Sequence, residues 1–405
     1  LTNLQQRKNW ISIIRERAAS AALASVVVLV LGIVITQSAG AQTFSVLYNF
    51  TGSSDGGYPY GYLVRDNAGN LYGTTEAYGA SGAGTVFKVS KTGKETVLYS
   101  FTGGSDGANP FAGLLRDTAG NLYGTTAYGG TSGLGTVFKV SKTGKETVLH
   151  SFAGGTADGC YPFGGLLQDA AGNLYGTTEV CGASGVGTVF KLSKAGKETV
   201  LHSFAGGSSD GEYPSFTNLL MDAKGNFYGI AEQGGTYNLG VVYRLGKGGK
   251  LTVLHSFGGT NDGCDVFGTP AMDSLGNLYG TANACGSAHV GIVWKVGKNG
   301  KETVLHSFAG GSSDGAEPIA GLIMDAADNL YGDTYQGGSA NLGTVYKLNK
   351  KGTLTLLHTF TGSDGSYPYS GLVRDAGGNL YGTTLYGGSG ESCRNGCGTV
   401  WQITK

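Results

Sequence analysis

Charge of either sign is scarce in this 405-residue sequence: 28 basic and 28 acidic side chains balance to zero, and charged residues make up only 14% of the chain. That balance leaves no cationic footprint for nucleic acid, so DNA and RNA are excluded as partners. The sequence also lacks a segment of helical period, an interdomain linker and a phosphate-cradling Gly-x-x-x-x-Gly-Lys-Ser/Thr loop, which removes helical and nucleotide-binding classes. Histidine is rare, at 6 residues, and five of them (His150, His202, His255, His306, His358) share one repeated position where Tyr48 and Tyr99 stand in the other copies. A residue exchangeable with Tyr and dispersed around a rim is structural, not a set of metal ligands. Gly-x-Ser-x-Gly occurs at Gly52 to Gly56 and three further places, but in a repeated loop with no strand-to-helix turn, so it is no nucleophile elbow.

What is present is repetition. Asn70-Leu71-Tyr72-Gly73 returns at Asn121, Asn173, Asn226 (with Phe for Leu), Asn277, Asn329 and Asn379, at steps of 50 to 53 residues. Each copy holds four short apolar runs, in the second copy 113–117, 121–126, 135–140 and 146–152, separated by Gly/Asn/Asp turns that read as strands and hairpins. Four meandering strands per repeat and seven repeats predict an all-β fold, a seven-bladed β-propeller of four-stranded antiparallel blades. The last repeat stops after its third strand, whereas Thr43 to Phe50 at the front matches the fourth-strand pattern. That N-terminal strand is expected to complete the C-terminal blade, closing the ring and removing its open edges. The 75 glycines follow the repeat and mark its turns.

Residues 1–41 differ from the rest. Arg7, Lys8, Arg15 and Arg17 precede an apolar run from Ala18 to Ile35 and the small residues Ser38-Ala39-Gly40-Ala41, the pattern of a secretory signal cleaved after Ala41. The alternative is an uncleaved membrane anchor. Without this segment, residues 42–405 carry 24 basic and 27 acidic groups and form one propeller domain. Cysteines agree with export: Cys160 and Cys181 recur at equivalent positions as Cys264 and Cys285, both members appearing or missing together, and Cys393 with Cys397 closes a small loop. Three disulfides are expected, and no further ligands accompany Cys393 and Cys397 for zinc.

Strand alternation sorts the connections onto two faces: short Asp-x-x-Gly-Asn and Lys-x-Gly-Lys hairpins on one, longer loops on the other. The long-loop face is the expected binding face. There each repeat carries an Asp-Gly: Asp55, Asp106, Asp158, Asp210, Asp262, Asp314 and Asp364. Two readings stand, a carboxylate ring for calcium or sugar hydroxyls and a set of turn-capping carboxylates; the second is favoured, because one Asp per blade does not converge on a point. Tyr60, Phe111, Phe163, Phe216, Phe267, Ile319 and Tyr369 recur six residues before the hairpin Asp, available for sugar stacking at Tyr60 and Tyr369 or for packing near the axis. Departures from symmetry include Arg65, Arg116 and Arg374, candidates for an anion-binding channel mouth or for pairing with neighbouring aspartates, and the irregular acids Glu76, Glu179, Glu212, Glu232, Glu317 and Asp333, assigned to the loop face.

The unit Gly-Leu-Val-Arg-Asp-Ala-Gly-Gly-Asn-Leu-Tyr-Gly-Thr-Thr-Leu-Tyr-Gly-Gly at 371–388, with Gly398-Thr399-Val400-Trp401, resembles the GloVer tandem repeat of choice-of-anchor bacterial surface proteins, in all seven copies. The resemblance implies an exported β-propeller-like protein and carries over no catalytic residues. Members often bear a C-terminal sorting or anchoring segment; this chain ends at Lys405 without one, so release to the periplasm or medium is expected. The leading functional expectation is a monomeric binding module for a cell-envelope or environmental polysaccharide, or for another envelope protein. It would need no cofactor, with calcium as the one candidate ion, and no membrane contact once the signal is removed. The alternatives are a propeller-type hydrolase or lyase acting on polysaccharide, and a structural envelope protein.

Overall fold

Every residue of the repeated Asn-Leu-Tyr-Gly phrase has a task in the computed structural model, which describes residues 42–405. In the first copy, the Asn70 amide and side chain both donate to Asp66, at 2.8 Å each, and the Tyr72 hydroxyl donates to the same carboxylate at 2.9 Å. The hairpin Asp is thus a hub tying its own turn to the strand that follows. Leu71 is fully buried. Gly73 lies opposite Phe87 on the next strand, and a Cβ there would fall 2.7 Å from the Phe87 ring. The same steric demand recurs at Gly124 under Phe138 and Gly176 under Phe190. Asp328, standing where other copies have Gly in the hairpin, takes φ 61°, as its turn requires.

The predicted blades form. Blade one comprises Val64–Arg65, Leu71–Thr75, Thr85–Val89 and Glu95–Ser100, and seven such four-stranded antiparallel sheets follow one another, together with three small two-stranded pairs. Blade seven is built from Val373–Arg374, Leu380–Thr384 and Thr399–Thr404, with Thr43–Asn49 as its outermost strand. The N-terminal strand therefore closes the ring, helped by the Phe50 amide donating to Gly398 O at 3.0 Å and Gln402 Nε2 donating to Ser45 Oγ at 3.1 Å. The propeller is one compact unit, Phe44–Thr404. The expected signal segment and its expected cleavage after Ala41 lie outside the described residues.

In six blades the first strand is shorter than the sequence predicts, as in Leu115–Arg116 where the pattern predicts 113–117, and blade five, with Cys264–Met272, is the exception. First strands sit closest to the axis, where neighbouring blades crowd. A Cβ on Gly61 would meet the Ala112 carbonyl at 2.5 Å, so the inner segments lie backbone against backbone and leave no room for a longer ladder.

Two devices join the blades. The Phe just after each fourth strand packs against the third-strand aromatic of the next blade, edge-on except for the tilted Phe257–Trp294: Phe50 on Phe87, Phe101 on Phe138, Phe152 on Phe190, and so on to Phe360 on Trp401, with centroids 5.0 to 5.9 Å apart. All these side chains are buried, and each contributes roughly 1.5–3 kcal/mol by burial, with the edge-to-face geometry adding about 1 kcal/mol. The second device is backbone. Tyr58, Asn109, Tyr161, Tyr213, Glu317 and Tyr367, each preceding a proline, adopt φ of 52 to 60°. In that conformation the Tyr58 amide donates to Cys397 O of the preceding blade at 2.9 Å, while its carbonyl accepts from Glu76 N at 3.0 Å. Tyr161 does the same with Leu134 O and Glu179 N. Left-handed backbone costs of order 1 kcal/mol at a non-Gly residue, offset here by two buried hydrogen bonds and a fixed neighbour.

Candidate functional site

At the loop-face end of the axis five aromatic rings close a circle. Tyr60 meets Phe111 at 5.1 Å, Phe111 meets Phe163 at 5.2 Å, Phe163 meets Phe216 at 4.9 Å, Phe216 meets Tyr369 at 6.2 Å, and Tyr369 returns to Tyr60 at 5.0 Å. Ile319 completes the lining, and only about 60 Å³ of space remains between them. The channel is therefore floored by aromatics. Phe267 does not line it: blade five runs as one continuous strand, Cys264–Met272, in which Phe267 pairs in register with Thr281, and Gly268 with Thr269 takes the lining place.

Outward from this floor, blades six, seven and one carry an arc of tyrosines. Tyr369 touches Tyr335 at 6.2 Å, Tyr335 touches Tyr367 at 4.7 Å, Tyr367 touches Tyr386 at 6.0 Å, Tyr386 touches Tyr58 at 5.3 Å, and Tyr58 touches Tyr78 at 5.6 Å. Tyr58 and Tyr367 occupy the left-handed position before proline; Tyr78 sits two residues beyond the Glu76 that follows the second strand. Glu76 lies among them. Burial pushes its carboxyl up to about 7; burial also raises Tyr60 and Tyr386 above the ordinary phenol range, and the Glu76 charge adds to that rise. Burial, then hydrogen bonding to Tyr78, pushes Tyr58 up to about 12. A recess of about 520 Å³ adjoins the arc, lined by Ser363, Ser366, Tyr367, Ser389, Glu391 and Asn395. Sequence reasoning found Tyr60 and Tyr369 but missed Tyr58, Tyr367, Tyr335 and Tyr386; for Tyr58 and Tyr367 the available signal was the recurrent X-Pro step with X varying from blade to blade, and Tyr335 and Tyr386 carry no such signal.

The opposite arc, blades three to five, is acidic. Glu179 and Glu232 follow the second strands of adjacent blades, and the Ser215 hydroxyl faces both. Burial pushes Glu232 up to about 7, with Glu179 and Asp265 adding to the rise. Glu317 is held by Gln336 Nε2 at 2.8 Å. Asp333 is not on the loop face: it lies 2% exposed inside blade six, at the position of Thr74 and Thr125, because every residue of the strand Leu330–Thr334 is buried.

The Asp-Gly aspartates have internal partners. Asp158 accepts from His150 Nε2 at 3.2 Å, Ala153 N at 2.8 Å and Gly159 N at 2.7 Å. Asp210, Asp262, Asp314 and Asp364 hold His202, His255, His306 and His358 in the same way, at 2.9 to 3.1 Å. In the remaining blades Tyr48 donates to Asp55 at 2.9 Å and Tyr99 to Asp106 at 2.8 Å. Histidine and tyrosine interchange because each supplies one donor to the same carboxylate. Burial alone would raise these acids, but the hydrogen bonds outweigh it and hold Asp55, Asp106, Asp158, Asp314 and Asp364 below the ordinary range. Among the described residues no three His, Cys, Asp or Glu side chains are grouped to hold a metal ion. The arginines sit on the hairpin face between blades: Arg65 lies 3.6 Å from Asp375 and over Tyr381, Arg116 over Tyr72, and Arg374 over Tyr331. Cys160–Cys181, Cys264–Cys285 and Cys393–Cys397 are disulfides; the first joins the paired short strands Gly159–Cys160 and Val180–Cys181, and the second joins the start of Cys264–Met272 to the residue after Leu278–Ala284.

No curated protein matches the sequence. Among solved structures, the fold resembles the extracellular domain of a one-component system from B. thetaiotaomicron, at 10% identity and TM-score 0.55, covering 89% of this chain and 40% of that one. A gluconolactonase from Xanthomonas campestris aligns at 14% identity over 74% of this chain and 88% of its own, with a TM-score of 0.43 that supports no argument. The model of the Gloeobacter/Verrucomicrobia repeat matches residues 30–220 and 215–405. With seven blades carrying one repeat each and that model spanning the propeller, the chain belongs to the Gloeobacter/Verrucomicrobia repeat family.

Proposed function

We propose that the protein is an exported binding module whose loop face takes a polysaccharide of the cell envelope or its surroundings. One observation carries the reading: seven tyrosines stand in continuous ring contact on the long-loop face, with the half-buried Glu76 close to Tyr58, Tyr60 and Tyr386. Sugar rings present apolar C–H faces that stack on aromatic surfaces, and their hydroxyls find donors and acceptors in tyrosine and carboxyl groups. The adjoining recess, lined by serine, asparagine and glycine, extends the polar surface. Three disulfides support an oxidising compartment, and the extracellular neighbour in fold agrees with it. Calcium is not needed on this reading, since the Asp-Gly carboxylates are already satisfied within the protein.

The test is co-sedimentation of residues 42–405 with insoluble polysaccharides and peptidoglycan, with and without EDTA. Selective retention indifferent to EDTA is expected; loss of retention in EDTA would restore the carboxylate ring as the site, and no retention on any of them would reject the ligand class. A second reading, cleavage of a glycosidic bond, is favoured by the loop-face carboxyls Glu76 and Glu232, each pushed by burial up to about 7, where a general acid works. Release of new reducing ends by the wild type and not by Glu76→Gln would establish it.

A further inference from the structure

Across the axis from the tyrosines, Glu179 and Glu232 stand in neighbouring blades, each with its backbone fixed by the left-handed residue before proline: Glu179 N donates to Tyr161 O at 3.1 Å and Glu232 N to Tyr213 O at 3.2 Å. The Ser215 hydroxyl faces both carboxyls. The residue is 3% exposed, and its hydroxyl has no partner in hydrogen-bonding geometry. Asp265 of the next blade adds a further negative charge. No cation answers them: the ion pairs among the described residues are Arg65–Asp375 and five His–Asp pairs, none involving these groups. The residue after Ser215 is Phe216, whose ring lies 4.9 Å from Phe163 and 6.2 Å from Tyr369, and the charge of Glu232 reaches Tyr369.

A pair of half-buried carboxyls and a buried, unsatisfied hydroxyl without countercharge is costly in the free protein, and a ligand that brings both N–H donors and positive charge relieves the cost. Sugar hydroxyls bring donors without charge. A primary ammonium brings both, and its charge-assisted hydrogen bonds are about twice as strong as neutral ones. The aromatic floor beside the acids requires in addition a flat apolar face on the same ligand. We propose that the Glu179–Ser215–Glu232 cluster is a subsite for an amino sugar with a free ammonium group, the ring lying against Phe216 and Tyr369. This inference rests on the reading of the loop face as a carbohydrate site and names the class of carbohydrate. A lysine side chain offers the same ammonium without the ring face, which is why the amino sugar is preferred.

Titration calorimetry with glucosamine oligomers, their N-acetylated counterparts of equal length and oligolysine tests it, on the wild type, on Glu179→Gln/Glu232→Gln and on Tyr58→Ala/Tyr386→Ala. The wild type should bind the free-amine oligomer about tenfold or more tightly than the acetylated one, with the preference shrinking as salt is added. Glu179→Gln/Glu232→Gln should lose the preference yet keep its affinity for the acetylated oligomer, and a thermal melt matching the wild type shows that it is folded. Equal affinity for both oligomers, or a preference that survives the double substitution, overturns the inference while leaving the carbohydrate reading intact. Oligolysine binding as tightly as the glucosamine oligomer overturns it in favour of a basic peptide. Failure of both oligomers to bind, with every other glycan also failing, overturns the inference together with the reading beneath it.

Discussion

Asp333 stands where four other blades have a threonine whose hydroxyl donates to the inner segment of the following blade: Thr74 to Ala112 O at 2.8 Å, Thr125 to Gly164 O at 2.9 Å, Thr281 to Ala320 O at 2.9 Å, Thr383 to Pro59 O at 3.0 Å. A carboxylate cannot donate, but a protonated carboxyl can. Burial pushes Asp333 up to about 7, offset only in part by the Gly371 amide, and neither oxygen has a partner in hydrogen-bonding geometry. The linkage follows from that direction. Below pH 3.8 the group is neutral in both states and carries no ionisation cost; between pH 3.8 and about 7 the unfolded chain ionises first, so stability falls as pH rises; above that the full cost applies. Asp333→Thr should therefore stabilise the protein by roughly 2–4 kcal/mol near neutral pH and by little at acid pH, read from urea unfolding at the two conditions. An equal gain at both would show that ionisation is not the cause. Asp333 also marks a limit of sequence reasoning: in a strand buried along its whole length, alternation does not separate the loop face from the interior.

Among elements, the third and fourth strands carry the load between blades. Phe101→Ala should cost about 3–5 kcal/mol, because the ring fills the contact with Phe138 in the next blade and both side chains are fully buried; a shift in the denaturant midpoint measures it. Reducing Cys160–Cys181 and Cys264–Cys285, each closing a loop of 21 residues, should cost roughly 3 kcal/mol apiece, seen as a lower Tm in reductant. Strand identity and cysteine pairing were legible because the repeat supplies seven samples of one pattern, so joint substitutions such as Cys160 with Cys181 reveal contacts. The His–Asp pairs were legible in the same way yet went unread: Tyr48 and His150 each stand seven or eight residues before their aspartate, and only the shared carboxylate explains why they interchange. The tyrosine arc was not legible, since it joins Tyr335, Tyr386 and Tyr58 from three blades at unrelated repeat positions, and only the ring's closure brings them together.

For the whole molecule, closure is the condition for the site. Blade seven takes its outer strand from Thr43–Asn49, and Tyr58, just beyond it in sequence, meets Tyr386 of that blade. Deleting residues 42–50 should expose the edge of Thr399–Thr404 and remove Phe50 from its contact with Phe87, so the truncated protein is expected to associate through that edge; light scattering that found a stable monomer would contradict ring closure as described. The tyrosine arc exists only in the closed ring, and it is the claim on which the functional account turns. Its most direct test is retention of residues 42–405 on a polysaccharide panel for the wild type, for Tyr58→Ala/Tyr386→Ala and for the hairpin-face control Lys142→Ala/Lys194→Ala. Loss of retention of about tenfold or more in the tyrosine variant alone, each lost stacking contact costing roughly 1 kcal/mol, is the predicted result; equal retention by all three proteins, or loss in the lysine variant alone, would place the binding surface elsewhere and contradict the account.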